Sequence, residues 1–164
     1  MTYNINDIFK ICKKYNIEKF TINSDGSINV NESVYLFSYN LDKLPLNFNI
    51  INGNFDCSFN MLTSLDGFPK TINGNFDCSN NKITSLYGFP NIIGKYIDCS
   101  NNKITSLKYL NNEICTIIDL LNNPLESIDG YNGNYNLIRC DNKRNLILKL
   151  ERKSKLKNIM RHEY

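Results

Sequence analysis

The chain has 164 residues and a mass of 19.0 kDa, with 41% hydrophobic, 12% aromatic and 21% charged residues and a formal net charge of +3. This composition excludes disorder and collagen-like repetition, and no apolar run reaches the roughly 18 residues that cross a bilayer. A single His, no Trp and a small net charge leave little material for His-based catalysis or nucleic-acid recognition. The opening Met1-Thr2-Tyr3-Asn4-Ile5-Asn6 lacks a basic region followed by an apolar one, so the expected location is cytoplasmic, without membrane contact. Ala and Gln are absent while Asn, Ile, Lys and Tyr abound, the bias of an AT-rich genome.

From the N-terminus, Ile5, Ile8, Phe9, Cys12 and Tyr15 recur at helical spacing opposite Lys10, Lys13 and Lys14. They predict an amphipathic helix whose apolar stripe lies on the first unit of whatever follows. Phe20-Thr21-Ile22 and Ile28-Asn29-Val30 alternate around Ser24-Asp25-Gly26, a hairpin signal.

A repeat of about 21 residues comes next. Gly53-Asn54-Phe55-Asp56-Cys57-Ser58 returns as Gly74-Asn75-Phe76-Asp77-Cys78-Ser79 and, altered, as Lys95-Tyr96-Ile97-Asp98-Cys99-Ser100. Asn60-Met61-Leu62-Thr63-Ser64-Leu65 likewise becomes Asn81-Lys82-Ile83-Thr84-Ser85-Leu86 and then Asn102-Lys103-Ile104-Thr105-Ser106-Leu107. Weaker copies flank these: Val34, Leu36, Leu41 and Leu44 before, Ile118, Leu120, Asn123, Leu125 and Ile128 after, and a degraded copy from Ile138-Arg139-Cys140. Terminal copies face solvent on one side and lose the internal pattern. About six units therefore span residues 34–145.

Each unit reads apolar-x-apolar-x-x-Asn-x-apolar-x-x-apolar, the pattern of leucine-rich repeats. Phe76 and Cys78 belong to a short strand pointing inward, and Asn81 sits where the chain turns, its amide placed to satisfy orphaned backbone groups as one rung of a ladder. Ile83 and Leu86 return inward, and Gly88-Phe89-Pro90, like Gly67-Phe68-Pro69, makes a stiffened return on the convex side. A unit this short predicts turns or a 3₁₀ piece there rather than a helix. Leu146, Ile147 and Leu150 can cover the last unit. The predicted fold is an α/β-class leucine-rich repeat solenoid of short parallel strands, in one domain: an N-terminal cap over 1–33, the repeats over 34–145, and a C-terminal cap and basic tail over 146–164.

Phe-Asp-Cys-Ser-Asn-Asn-Lys-Ile-Thr-Ser-Leu at 76–86, followed by Gly-Phe-Pro, resembles the short leucine-rich repeat proteins of bacteriophages and of giant DNA viruses such as the mimivirus group. The lead-in Thr21-Ile22-Asn23-Ser24-Asp25-Gly26-Ser27-Ile28-Asn29-Val30 is similar to the segment that often precedes the repeats there, so the likeness covers about residues 20–145. It implies a binding module. A viral origin would make a host factor the partner, with interference in host defence the natural expectation. Two departures stand out: Tyr39 occupies the first unit's Asn position, and the last unit breaks after Cys140.

Six cysteines, Cys12, Cys57, Cys78, Cys99, Cys115 and Cys140, invite disulfide or metal readings. Four of them fill the second inward strand position, where Leu120 substitutes in the fifth unit, and no C-x₂-C pair occurs. They read as packed, reduced core residues, with no metal and no cofactor.

The residue between the two inward positions faces outward: Asp56, Asp77, Asp98 and Asp119, flanked by Tyr35 before and Arg139 after. Strands about 4.8 Å apart bring such carboxylates close enough to repel by roughly 0.8 kcal/mol in water and by a few kcal/mol at an effective dielectric near 20. The column reads either as a stripe for a cation or basic partner or as a tolerated relic of duplication. Beside it run Asn54, Asn75, Tyr96 and Ile117 on one side, and Ser58, Ser79, Ser100 and Leu121 on the other. Tyr96, Ile117 and Leu121 form a candidate apolar anchor next to the acids, unless the C-terminal segment covers them.

From Arg139 onward the chain is strongly basic, through Lys143, Arg144, Lys149, Arg152, Lys153, Lys155, Lys157 and Arg161 against Asp141, Glu151 and Glu163. These charges spread round a helix with no aromatic residue among them to stack a base, so nucleic-acid binding ranks behind a solvated cap. His162 stands near the chain end, where fraying is expected, and no catalytic fingerprint occurs. The expected function is non-enzymatic protein binding through the concave face. Its rivals are a cation or polyamine site on the Asp column and a nucleic-acid site at the basic end.

Overall fold

The computed structural model describes residues 4–110, 116–128 and 131–162, and within the last helix it describes no side chain at 150 or from 154 onward. Cys115, the side chains of Leu150 and His162, and the tail's charges beyond Lys153 lie outside that description. Helix α1 (Ile5–Lys14) starts at Asn4, whose side chain accepts the Asp7 amide at 2.9 Å, and it carries Asp7 in its first turn and Lys13 and Lys14 in its last. Ile8, Cys12 and Tyr15 are buried against the first turn of the solenoid, but Ile5 and Phe9 are 62% and 55% exposed. At about 100° per residue those two lie to one side of the Ile8–Cys12–Tyr15 stripe, and closing the solenoid end needs only that stripe. Phe9 packs instead on Phe20, ring centroids 5.3 Å apart.

Strands β1 (Phe20–Ile22) and β2 (Ile28–Val30) form the predicted antiparallel hairpin, with Phe20 opposite Val30. Its turn is closed by Asp25, which accepts the amide and hydroxyl of Ser27, and by Gly26 at φ +79°. The chain then winds through β3 (Val34–Tyr35), β4 (Phe48–Ile51), β5 (Phe55–Asp56), β6 (Thr71–Ile72), β7 (Phe76–Asp77), β8 (Ile92–Ile93), β9 (Ile97–Asp98), β10 (Ile118–Asp119) and β11 (Ile138–Arg139). It ends in α2 (Lys143–His162).

The result is a solenoid of stacked parallel strands in two sheets. One is six-stranded, ordered β11-β10-β9-β7-β5-β3, with Phe55, Phe76, Ile97, Ile118 and Ile138 in register. The other, ordered β1-β2-β4-β6-β8, replaces the expected turn or 3₁₀ return. The β2 strand of the hairpin seeds it, and Phe48, Thr71-Ile72 and Ile92-Ile93 extend it in parallel. A β-branched or aromatic pair with an edge already waiting satisfies its backbone groups in a ladder more completely than in an isolated turn. Among the described residues the single 3₁₀ piece lies in the last unit, Tyr135–Leu137.

The core fills the space between the sheets. Phe55 and Phe76 stack at 6.2 Å with 11° between planes, and Phe68 and Phe89, delivered by the Gly-Phe-Pro turns, pack edge-on against them. Those turns need Gly67 and Gly88, at φ +79° and +85°, a region closed to most side chains. Cys57, Cys78 and Cys99 are buried free thiols, Cys78 and Cys99 sulfurs 3.4 Å apart. Burial pushes the Cys57 and Cys78 thiols up, so they stay protonated. Cys140 is only half-buried, unlike the three before it.

The Asn ladder forms as the pattern requires. Asn81 Nδ2 donates to the carbonyls of Cys57, Cys78 and Ser79, and its Oδ1 accepts the Leu62 amide at 2.9 Å. Asn60, Asn102 and Asn123 repeat the arrangement. Tyr39, in the Asn position of the first unit, gives its amide to Asn60 Oδ1 and lays its ring edge-on against Tyr15 of the cap. A second ladder, Asn73 to Asn52 to Asn31, joins successive turns through side-chain amides at 2.7 and 2.6 Å.

Candidate functional site: the outward face of the six-stranded sheet

Strand alternation puts Tyr35, Asp56, Asp77, Asp98, Asp119 and Arg139 in one row on the solvent side of this sheet, in register from turn to turn. The aspartates also have a local task. Asp56, Asp77 and Asp98 each accept the amide of the serine two residues on, at 2.9–3.0 Å, and Asp119 accepts that of Leu121. This is the Asx-turn that ends each strand, and the recurring Asp-Cys-Ser could have announced it in the sequence. Because of it Ser58 and Ser79 are buried beside the turn instead of lying open on the face.

The four carboxylates are not equivalent. Asp119 is buried, its Oδ2 held by Arg139 Nη1 at 3.0 Å and receiving the Tyr96 hydroxyl at 3.3 Å. A column of four open charges is therefore corrected to three, since Asp119 and Arg139 neutralise each other within the fold. Asp56, Asp77 and Asp98 are half-buried and form no ion pair among the described residues. Asp77, in the middle, has its pKa raised, first by burial and then by the charges of Asp56 and Asp98, against the lowering effect of the Ser79 bonds. The Tyr96 phenol is pushed up to about 12, by burial and by the charges of Asp98 and Asp119.

At the C-terminal end of the face, Tyr96 and Ile117 are exposed and Leu121 is half-buried, adjacent to the Asp119–Arg139 pair. Asn54 and Asn75 precede Tyr96 and Ile117 on the same side of the column, where their Oδ1 atoms accept the amides of Asn75 and Tyr96 and so stitch successive turns. At the N-terminal end stands an apolar group that sequence reasoning missed. Phe37, Tyr39, Phe59 and Met61 are 51%, 45%, 60% and 41% exposed, beside the half-exposed Tyr35. The signal was available by register: Phe37 occupies the position of Ser58 and Ser79, and Phe59 that of Asn80 and Asn101.

The basic end behaves differently from the face. Leu146 of α2 is buried over the last turn and Lys143 Nζ donates to the Ile138 carbonyl at 2.9 Å, so the start of this helix is a cap. Helical structure continues to His162, where fraying was expected. Among the described residues no helix is long and apolar enough to cross a membrane, and no group of three His, Cys, Asp or Glu side chains is placed to hold a metal ion. No protein-family model, curated protein or solved structure matches the chain.

Proposed function

We propose that this solenoid is of the leucine-rich repeat kind and is a non-enzymatic module that binds a protein across the outward face of its six-stranded sheet, the side the repeat pattern assigns to the concave surface. One observation carries the reading: three carboxylates without ion-pair partners among the described residues run in register between two exposed apolar groups, Tyr35 with Phe37 and Tyr96 with Ile117. Apolar anchors around a charged centre suit a partner surface. An open, unpocketed row, with one oxygen of each acid committed to the backbone, is poorly arranged to tune one acid against another. The likeness to short viral repeat proteins makes a host factor, engaged in the cytoplasm, the natural partner.

Selection of binders from a displayed library of random 16-residue peptides, followed by hydrogen exchange of the complexes, tests the reading. Binders that protect amides in β3, β5, β7, β9 and β10 support it. Binders that protect only the second sheet or α2 overturn it.

A further inference from the structure

Resting on that reading, we infer that the docking site is centred on the first two turns and takes a basic segment with an apolar anchor, seated on Phe37 and Phe59 with its cations over Asp56 and Asp77. The register sets the layout. Tyr35 pairs with Asp56, which places Phe37 beside Ser58, and Phe59 is the next residue along that turn. Asp77 lies one strand further, in register with Asp56. An apolar rim thus adjoins the open part of the carboxylate row, whereas the opposite end of the row is already neutralised by Arg139.

Phe59 is costly where it stands. It is held at φ +53°, in the left-handed region where the next turns place Asn80, Asn101 and Asn122, and its ring is 60% exposed. It contributes neither backbone comfort nor core burial. A solvent-facing Phe at a position that its neighbours fill with Asn gains a purpose only when something covers it. The acids beside it choose the chemistry of that cover. Asp56 and Asp77 each spend one oxygen on the Asx-turn and have no ion pair among the described residues, and burial with the neighbouring charges of Asp56 and Asp98 makes the Asp77 carboxylate less favourable without a cation nearby. Lys or Arg side chains satisfy both conditions, and their stems and charged heads also rest favourably on ring faces.

The experiment uses a fluorescein-labelled ten-residue peptide with a central Leu-Phe pair flanked on each side by Lys-Arg, titrated with the full chain at 150 mM salt. Its controls carry Ser-Ser in the centre or Glu in place of every Lys and Arg. The parent protein is expected to bind the basic apolar peptide at least tenfold more tightly than either control, with amide shifts centred on residues 34–61. The double variant Phe37→Ser, Phe59→Asn copies residues the neighbouring turns already use, so it should melt no lower than the parent while losing at least tenfold in affinity. Equal affinity for parent and variant, preference for the acidic peptide, or shifts centred on residues 96–121 would overturn the inference. Library peptides that dock on the face yet carry no basic residue would sink this inference and leave the proposed function standing; none docking there would sink both.

Discussion

At the residue scale, a single side chain in each turn does work that the backbone cannot do for itself. Asn81 bonds four backbone groups across two turns while 8% exposed; on truncation the Cys57, Cys78 and Ser79 carbonyls keep the Asn60, Asn102 and Phe59 donors, but the buried Leu62 amide loses its partner. Asn81→Ala is expected to cost about 2–3 kcal/mol, read from urea denaturation. The aspartates mix a stabilising turn bond with mutual repulsion, and an amide keeps the first while losing the second. Asp77→Asn should therefore stabilise the free protein at pH 7 by roughly 0.2–1 kcal/mol, the scale of a like-charge cross-strand contact. The pH dependence has a definite sign. A carboxylate whose folded pKa is raised binds more protons folded than unfolded, so the parent gains relative stability on acidification. The advantage of the variant closes as the pH falls through the carboxylate range, and a gap that widened in acid would contradict the repulsion.

At the element scale, the unit of construction is a pair of short strands in two sheets. Asn-Gly-Asn separates β6 from β7, and there the turns approach so closely that a Cβ on Gly74 would stand 2.4 Å from Asn54 Oδ1 and 2.5 Å from the Gly53 carbonyl oxygen. Gly74→Ala is expected to cost about 1–3 kcal/mol, the cost of overpacking, because backbone must move. Thermal melting checks this, and Gly26→Ala gives the contrast. Its Cβ meets nothing within 4 Å, so only the φ of +79° penalises it. The exposed Ile5 and Phe9 show the opposite tolerance, since a cap needs only one covering stripe.

Across the whole molecule, stability is close to a sum over turns and their interfaces, with the ends protected by caps. Among the described side chains of α2, Leu146 is buried and Ile147 packs partly buried against the core, while Leu148 is 41% exposed. Deleting residues 152–164 should leave the solenoid folded, with far-ultraviolet dichroism reduced only by the lost helix. Deleting from Lys143 onward should free the Ile138 carbonyl and bare Leu125 and loosen the last turns, seen as faster amide exchange in β10 and β11 that fades toward β5. Uniform loss of protection along the chain would instead mean that the solenoid unfolds as one body.

How much of this was legible beforehand follows from the range of the forces. The 21-residue period, the inward Phe and Cys, the Asn ladder and the hairpin at 20–30 were readable because each rests on alternation or on a bond between neighbouring turns that the period itself specifies. The outward row of aspartates followed from the same alternation. Tertiary structure alone decided the second sheet, since Thr71-Ile72 and Ile92-Ile93 become strands only when the edge begun by β2 lies beside them. It also decided which acids stay open: the Arg139–Asp119 bond joins side chains whose distance depends on how the last turn stacks. The apolar rim of Phe37 and Phe59 lies between the two: the repeat register already puts both at outward positions, and the structure shows that nothing in the described chain covers them.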